Sequence, residues 1–162
     1  MTKIIMNGCN GKMGQVISRL AEEDSEVEIV AGVDINTQIK NTYPVYTSID
    51  EFDGEADVVI DFSHPSCLNN VLNYCKRTKT AVILATTGFS ADDKANFEAA
   101  SKEIPVFFSA NMSLGINLLI SLAKQAAKLL EGNFDIEIVE RHHNKKLDAP
   151  SGTAVMIANG LN

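Results

Sequence analysis

Cysteine is scarce: Cys9, Cys67 and Cys75 are the only three in 162 residues. An odd number at those separations makes neither a disulfide framework nor a C-x-x-C zinc site. A reducing compartment, the cytoplasm, is therefore expected. Cys67 and Cys75 fall in a helical pattern, where a small apolar side chain serves packing. Long apolar runs are lacking as well. Runs such as Ile116–Ile120 are interrupted, well short of the ~18 residues that a membrane span needs. Behind Lys3 only Ile4, Ile5 and Met6 are apolar before polar residues return, against the roughly 7–15 of a signal h-region. Neither a secretory signal nor a membrane partner is expected. Positive charge is in deficit: 14 Lys+Arg face 21 Asp+Glu, a net charge of −7, which removes the basic footprint that nucleic acid requires. There is no internal repeat and no low-complexity tract.

What the sequence does have is enough apolar surface to fold, with 45% hydrophobic and 22% charged residues, so disorder is not expected. Short apolar runs alternate with helical stretches. Strands are expected at 3–7, 28–34, 57–62, 81–85 and 105–109. Helices are expected at about 11–24, from Pro65 to about Arg77, and at 91–101. In the first helix Met13, Val16, Ile17 and Leu20 recur at helical spacing. The polar stretch 35–47 reads as a loop or a poorly formed crossover. Strands apolar on both faces belong in a parallel sheet covered by helices, and their alternation with helices gives right-handed βαβ units. The expected fold is α/β, a doubly wound Rossmann-type parallel sheet. After Ser113 the pattern changes. A long helix over 114–130 stops at Gly132-Asn133, Phe134–Arg141 alternates like a half-exposed strand, and a short helix begins near Ser151. Residues 1–113 thus read as a dinucleotide-binding domain, and 114–162 as the incomplete beginning of an α+β substrate-binding and oligomerisation domain.

The first strand runs into Gly8-Cys9-Asn10-Gly11-Lys12-Met13-Gly14, a glycine-rich turn that opens a helix. Glycine lets the backbone turn tightly and approach a pyrophosphate, and the helix start offers unpaired N–H groups. Asp34 lies about 20 residues on, at the end of the second strand, where a carboxylate bonds adenosine ribose hydroxyls. Asp34 favours NAD, because a carboxylate repels a 2′-phosphate, and Ile35 cannot pair with that group. Lys12 lies on the turn and within reach of it, so NADH and NADPH both stay open. Two more loops fall at carboxyl ends of strands, Ala85-Thr86-Thr87 and Ser109-Ala110-Asn111-Met112. Their short polar groups suit a nicotinamide ring.

Arg141, Lys145 and Lys146 surround His142 and His143, a cationic cluster in an acidic chain that suits a small anion. Histidine supplies a proton near neutral pH. Ser151-Gly152-Thr153 opens a helix and offers hydroxyls and N–H groups to an anion. A metal held by His142, His143 and Asp148 is not expected. Adjacent histidines usually point different ways, and Lys145 and Lys146 would repel a cation.

Residues 140–154, Glu-Arg-His-His-Asn-Lys-Lys-Leu-Asp-Ala-Pro-Ser-Gly-Thr-Ala, closely resemble the signature of the dihydrodipicolinate reductases, also called 4-hydroxy-tetrahydrodipicolinate reductases. The resemblance takes in the Gly8–Gly14 turn, Ile60-Asp61-Phe62-Ser63, Thr86-Thr87-Gly88-Phe89 and residues 110–115, and so spans essentially the whole chain. It implies reduction of a cyclic unsaturated dicarboxylic imine by NADH or NADPH on the lysine and diaminopimelate route. By that resemblance His142 matches the general acid and Lys146 a second catalytic position. His143 matches a substrate contact, and Gly152 and Thr153 a seat for a substrate carboxylate. Gly8 to Met13, Asp34, Ala85 to Thr87 and Ser109 to Met112 match the cofactor segments. The resemblance further implies a homo-oligomer, a tetramer in the family, and a chain that normally continues past Asn162. The alternative is a nucleotide-binding module without turnover. A related imine or amino-acid dehydrogenase would share the nucleotide fold without needing the His-His-x-x-Lys segment.

Overall fold

Ile4, Ile5 and Met6 are consecutive and apolar, so a strand through them presents an apolar side chain on both faces and demands cover on each. A computed structural model of the chain describes residues 1–109, 111–144, 146 and 149–161. It places that strand, β1 (Thr2–Asn7), inside a six-stranded sheet. The others are β2 (Val27–Val33), β3 (Val45–Tyr46), β4 (Val58–Asp61), β5 (Ala81–Leu84) and β6 (Val106–Phe108). The order is β3-β2-β1-β4-β5-β6, and each adjacent pair is parallel. That is the doubly wound arrangement the strand–helix alternation predicts. The chain divides into two compact units, Met1–Phe108 and Ser109–Asn162.

In the first unit the helices are α1 (Lys12–Glu22), α2 (Leu68–Thr78) and α3 (Ala91–Ala100). One sheet face buries Ile5, Val33, Val59 and Val82 with Leu68, Val71 and Tyr74 of α2 and Phe97 of α3. The opposite face buries Ile4, Met6, Cys9 and Ile29, with Ile17 and Ala21 of α1 against them. Ser90 begins α3 with a reciprocal cap: its hydroxyl accepts from the Asp93 N–H at 3.1 Å, and its own N–H donates to the Asp93 carboxylate at 2.9 Å. The Ser90 N–H, then the Ser90 hydroxyl donating to the same carboxylate at 2.8 Å, hold the Asp93 carboxyl below its ordinary range.

Two details differ from the pattern in the sequence. Met13, Val16 and Leu20 of α1 face solvent. The buried positions of this helix are Gly14 and Ser18. A Cβ on Gly14 would collide with the carbonyl oxygens of Gly8 and Cys9, so close approach to the turn requires small residues on the inner side. The stretch 35–47 is a loop that ends in β3, whose two residues pair with Gly32 and Val33.

The second unit holds α4 (Leu114–Leu130) and α5 (Gly152–Leu161). Gly160 of α5 lies close to α4, since a Cβ there would stand 2.7 Å from Ile120 Cγ2. Leu114, Leu118, Leu119 and Leu122 are exposed. The expected strand at 134–141 does not form: these residues are exposed and carry no ladder. A strand exists only where another pairs its N–H and C=O groups, and no second strand lies among the described residues of this unit. No helix among the described residues is long and apolar enough to cross a membrane.

Candidate functional site

The sheet order reverses direction between β1 and β4, and ligands of open parallel sheets bind beyond the strand ends at such a point. There the chain leaves β1 through Gly8, with φ +80°. A Cβ at Gly8 would stand 2.5 Å from the Phe62 carbonyl oxygen, so the turn is built for glycine. Gly8 N–H donates to the Val33 carbonyl at 2.8 Å, and Gly11 N–H to the Gly8 carbonyl at 3.1 Å. Gly11 precedes α1 with no side chain capping the helix, which leaves its first N–H groups open to a phosphate. A groove of about 240 Å³ lies over the turn, lined among others by Gly8, Gly11, Asp34, Ile35, Ser63 and His64.

Asp34 anchors the far side of the turn. Its carboxylate accepts the Asn10 N–H at 2.9 Å and the Asn36 N–H at 2.9 Å. One lone pair on each oxygen stays available to a ribose hydroxyl. The Asn10 side chain donates to the Asn36 carbonyl and accepts from Asn41, so it locks the loop after β2 onto the turn. Ile35 is 96% exposed at the mouth of this groove. Lys12 and Met13 are exposed on the first turn of α1. Cys9 differs from its neighbours. It is fully buried, and burial, followed by the nearby Asp34 charge, pushes its thiol up to about 11. Its side chain packs in the core with Ile4, Met6 and Ile29.

Past β5, Ala85 N–H donates to the Asp61 carbonyl at 2.9 Å. The Thr86 hydroxyl is buried and donates to Asp61 Oδ2 at 2.9 Å. Thr87 is exposed. His64, to which the sequence assigns no role, lines the groove and caps the turn before α2. Its Nδ1 accepts the Ser66 N–H at 3.2 Å, which puts the proton of the neutral ring on Nε2.

In the second unit, Asn111 connects two groups of expected site residues. Its side-chain amide donates to Thr153 Oγ1 at 2.7 Å, and its Oδ1 accepts the Ser113 N–H at 2.7 Å. The Ser109 hydroxyl donates to the Asn111 carbonyl at 3.0 Å, and Met112 is exposed. Ala110 lies outside the described residues, as do Lys145 and Asp148 of the charged segment. Lys146 N–H donates to the His143 carbonyl at 3.2 Å.

Glu140 organises this segment, and sequence reasoning gave it no role. Its carboxylate accepts the Ser151 N–H at 2.8 Å and the Ser151 hydroxyl at 2.5 Å. His142 Nδ1 lies 3.6 Å from Glu140 Oε2. The Ser151 hydroxyl in turn accepts the Ala154 N–H at 3.1 Å, which caps α5. The Ser151 hydroxyl, then the Ser151 N–H, with His142 and Lys146 adding, hold the Glu140 carboxyl below its ordinary range. One carboxylate therefore ties His142 to the start of the helix that presents Gly152 and Thr153. The one signal in the sequence is its place two residues before His142. Asp61, Asn7 and Ser63 are likewise unassigned by the sequence, because what joins them is tertiary.

Two family models match the chain: "Dihydrodipicolinate reductase, N-terminus" over residues 2–112 and "Dihydrodipicolinate reductase, C-terminus" over 115–162. A 4-hydroxy-tetrahydrodipicolinate reductase of Caldanaerobacter subterraneus subsp. tengcongensis is 57% identical over 162 residues, covering 100% of this chain and 64% of that protein. One from Clostridium perfringens is 51% identical over 162 residues, covering 99% and 64%. The solved structure of a dipicolinate-bound dihydrodipicolinate reductase from Paenisporosarcina sp. TG-14 superposes with a TM-score of 0.78. It is 25% identical and covers 99% of this chain and 65% of that one. The chain thus spans about 64% of the length of the curated relatives it matches.

Proposed function

The chain belongs to the dihydrodipicolinate reductase family, and from that premise we propose that the whole protein reduces a cyclic unsaturated dicarboxylic imine, dihydrodipicolinate, with NADH or NADPH. Residues 1–113 would form the dinucleotide domain and 114–162 the beginning of the substrate domain. The glycine cradle at Gly8, the uncapped start of α1 and the Asp34 carboxylate fit a dinucleotide. The turn at 8–13 takes the pyrophosphate through backbone N–H groups, and Asp34 takes the adenosine ribose. The loops at 85–87 and 109–112 take the nicotinamide side. When bound, the reduced nicotinamide supplies a hydride.

His142 protonates the ring atom next to the one that is reduced, and Glu140 orients the imidazole that does so. Lys146 stabilises developing negative charge and serves as a second proton donor. The substrate carboxylates rest on His143 and on the Gly152 and Thr153 end of α5, whose N–H groups favour an anion. The observation that carries the reading is the bond from Asn111 to Thr153, which joins a proposed nicotinamide loop to the proposed carboxylate seat. Two copies or more of the whole protein are proposed to associate.

The test is an assay of the complete polypeptide with dihydrodipicolinate and each reduced nucleotide. Loss of nucleotide absorbance that depends on substrate is expected, and replacement of His142 by Gln should lower kcat by roughly 10²–10⁴-fold. A complete protein that binds nucleotide and never oxidises it would overturn the reductase reading in favour of a binding module.

A further inference from the structure

Asp61 ends β4 fully buried. The ladder sets it opposite Asn7, the last residue of β1, and opposite Leu84, the last of β5. A buried carboxylate is costly unless it is hydrogen-bonded, and here both oxygens are. Oδ1 accepts the Asn7 side-chain amide at 2.7 Å, the Ser63 hydroxyl at 2.5 Å and the Ser63 N–H at 3.3 Å. Oδ2 accepts the Thr86 hydroxyl at 2.9 Å. An apolar side chain of similar volume would serve a core at least as well, so packing alone does not account for an acid here. The donors do. Asn7 precedes Gly8, Ser63 follows the Phe62 carbonyl that lies against Gly8, and Thr86 sits between Ala85 and Thr87.

We propose that Asp61 is a positioning residue of the dinucleotide site, its carboxylate fixing Thr86, in the loop after β5 that receives the nicotinamide half of the cofactor, against the ends of β1 and β4. The inference rests on the dinucleotide reading above. It separates two halves of one ligand: Asp34 holds the adenosine side through contacts of its own, whereas Asp61 acts through Thr86 on the nicotinamide side.

The test is titration calorimetry of NADH and of AMP against the wild-type chain and the D61N, T86V and T86S variants, with thermal melts alongside. D61N and T86V should each raise the Kd for NADH about tenfold or more, the effect of losing a hydrogen bond to a charged acceptor. AMP affinity should stay within about twofold, and T86S, which keeps the hydroxyl, should restore NADH binding. Unchanged NADH affinity in D61N overturns the inference. So does a parallel loss of NADH and AMP that tracks the melting temperature, the outcome of a purely structural role. If D61N does not fold, T86V against T86S decides. A wild-type chain that binds neither ligand overturns the dinucleotide reading itself, and the inference with it.

Discussion

At the scale of single residues, the turn after β1 tolerates no side chain at Gly8. Alanine there would have to hold φ near +80° with its Cβ 2.5 Å from the Phe62 carbonyl. G8A should lose roughly 1–3 kcal/mol of stability from backbone strain, read in a urea melt, together with nucleotide binding, read by calorimetry. Glu140 makes a second prediction, with a pH sign. Its carboxyl is held below the ordinary range in the folded chain by Ser151 and, more weakly, by His142 and Lys146. A depressed folded pKa means that the stabilisation is full above the unfolded carboxylate range and disappears as pH falls through the folded value. The Ser151 amide resonance should therefore keep its native shift into the acid range where a free glutamate protonates, then move. In E140Q that transition should be missing. The sequence showed the glycine turn and Asp34, because both belong to a local strand–turn–helix pattern. It did not show what Asp61 does: its partners Asn7 and Thr86 lie 54 and 25 positions away, and no spacing rule reaches across a sheet.

At the scale of elements, local chemistry and tertiary pairing divide the outcome. The capping pair Ser90 and Asp93 fixes where α3 begins, and S90A should cost about 1 kcal/mol, seen as a lowered melting temperature with nucleotide affinity preserved. Most strands and helices were legible to within a few residues, because apolar runs and helical spacing are read locally. Three features were not. β3 is two residues in a polar stretch and exists through its pairing with Gly32 and Val33. The buried side of α1 is set by its closeness to the glycine turn, which turns Met13, Val16 and Leu20 outward. The alternation over 134–141 announced which side of a strand would be covered, but a strand needs a partner as well as a pattern.

At the scale of the whole chain, the two units are built differently. The first has both faces of its sheet covered by helices and two buried clusters. In the second, α4 has no buried residue, and Leu114, Leu118, Leu119, Leu129 and Phe134 are exposed. Exposed apolar surface and unpaired backbone lower the free energy of local opening. Limited proteolysis should cut first between Glu131 and Asn144 and leave a resistant fragment containing residues 1–108, as read by mass spectrometry. An equal rate of cleavage in the loops of the first unit would contradict this. The chain should also enhance the fluorescence of a hydrophobic dye, and a fragment of residues 1–108 should enhance it much less.

Ile35 stands beside Asp34 with almost all of its surface in solvent. So little of its surface is packed that an exchange there should hardly be felt by folding, and in the proposed dinucleotide site it would be met by the nucleotide. On the proposed dinucleotide reading, a change at this position should therefore alter how the two coenzymes are told apart while leaving the scaffold as it is.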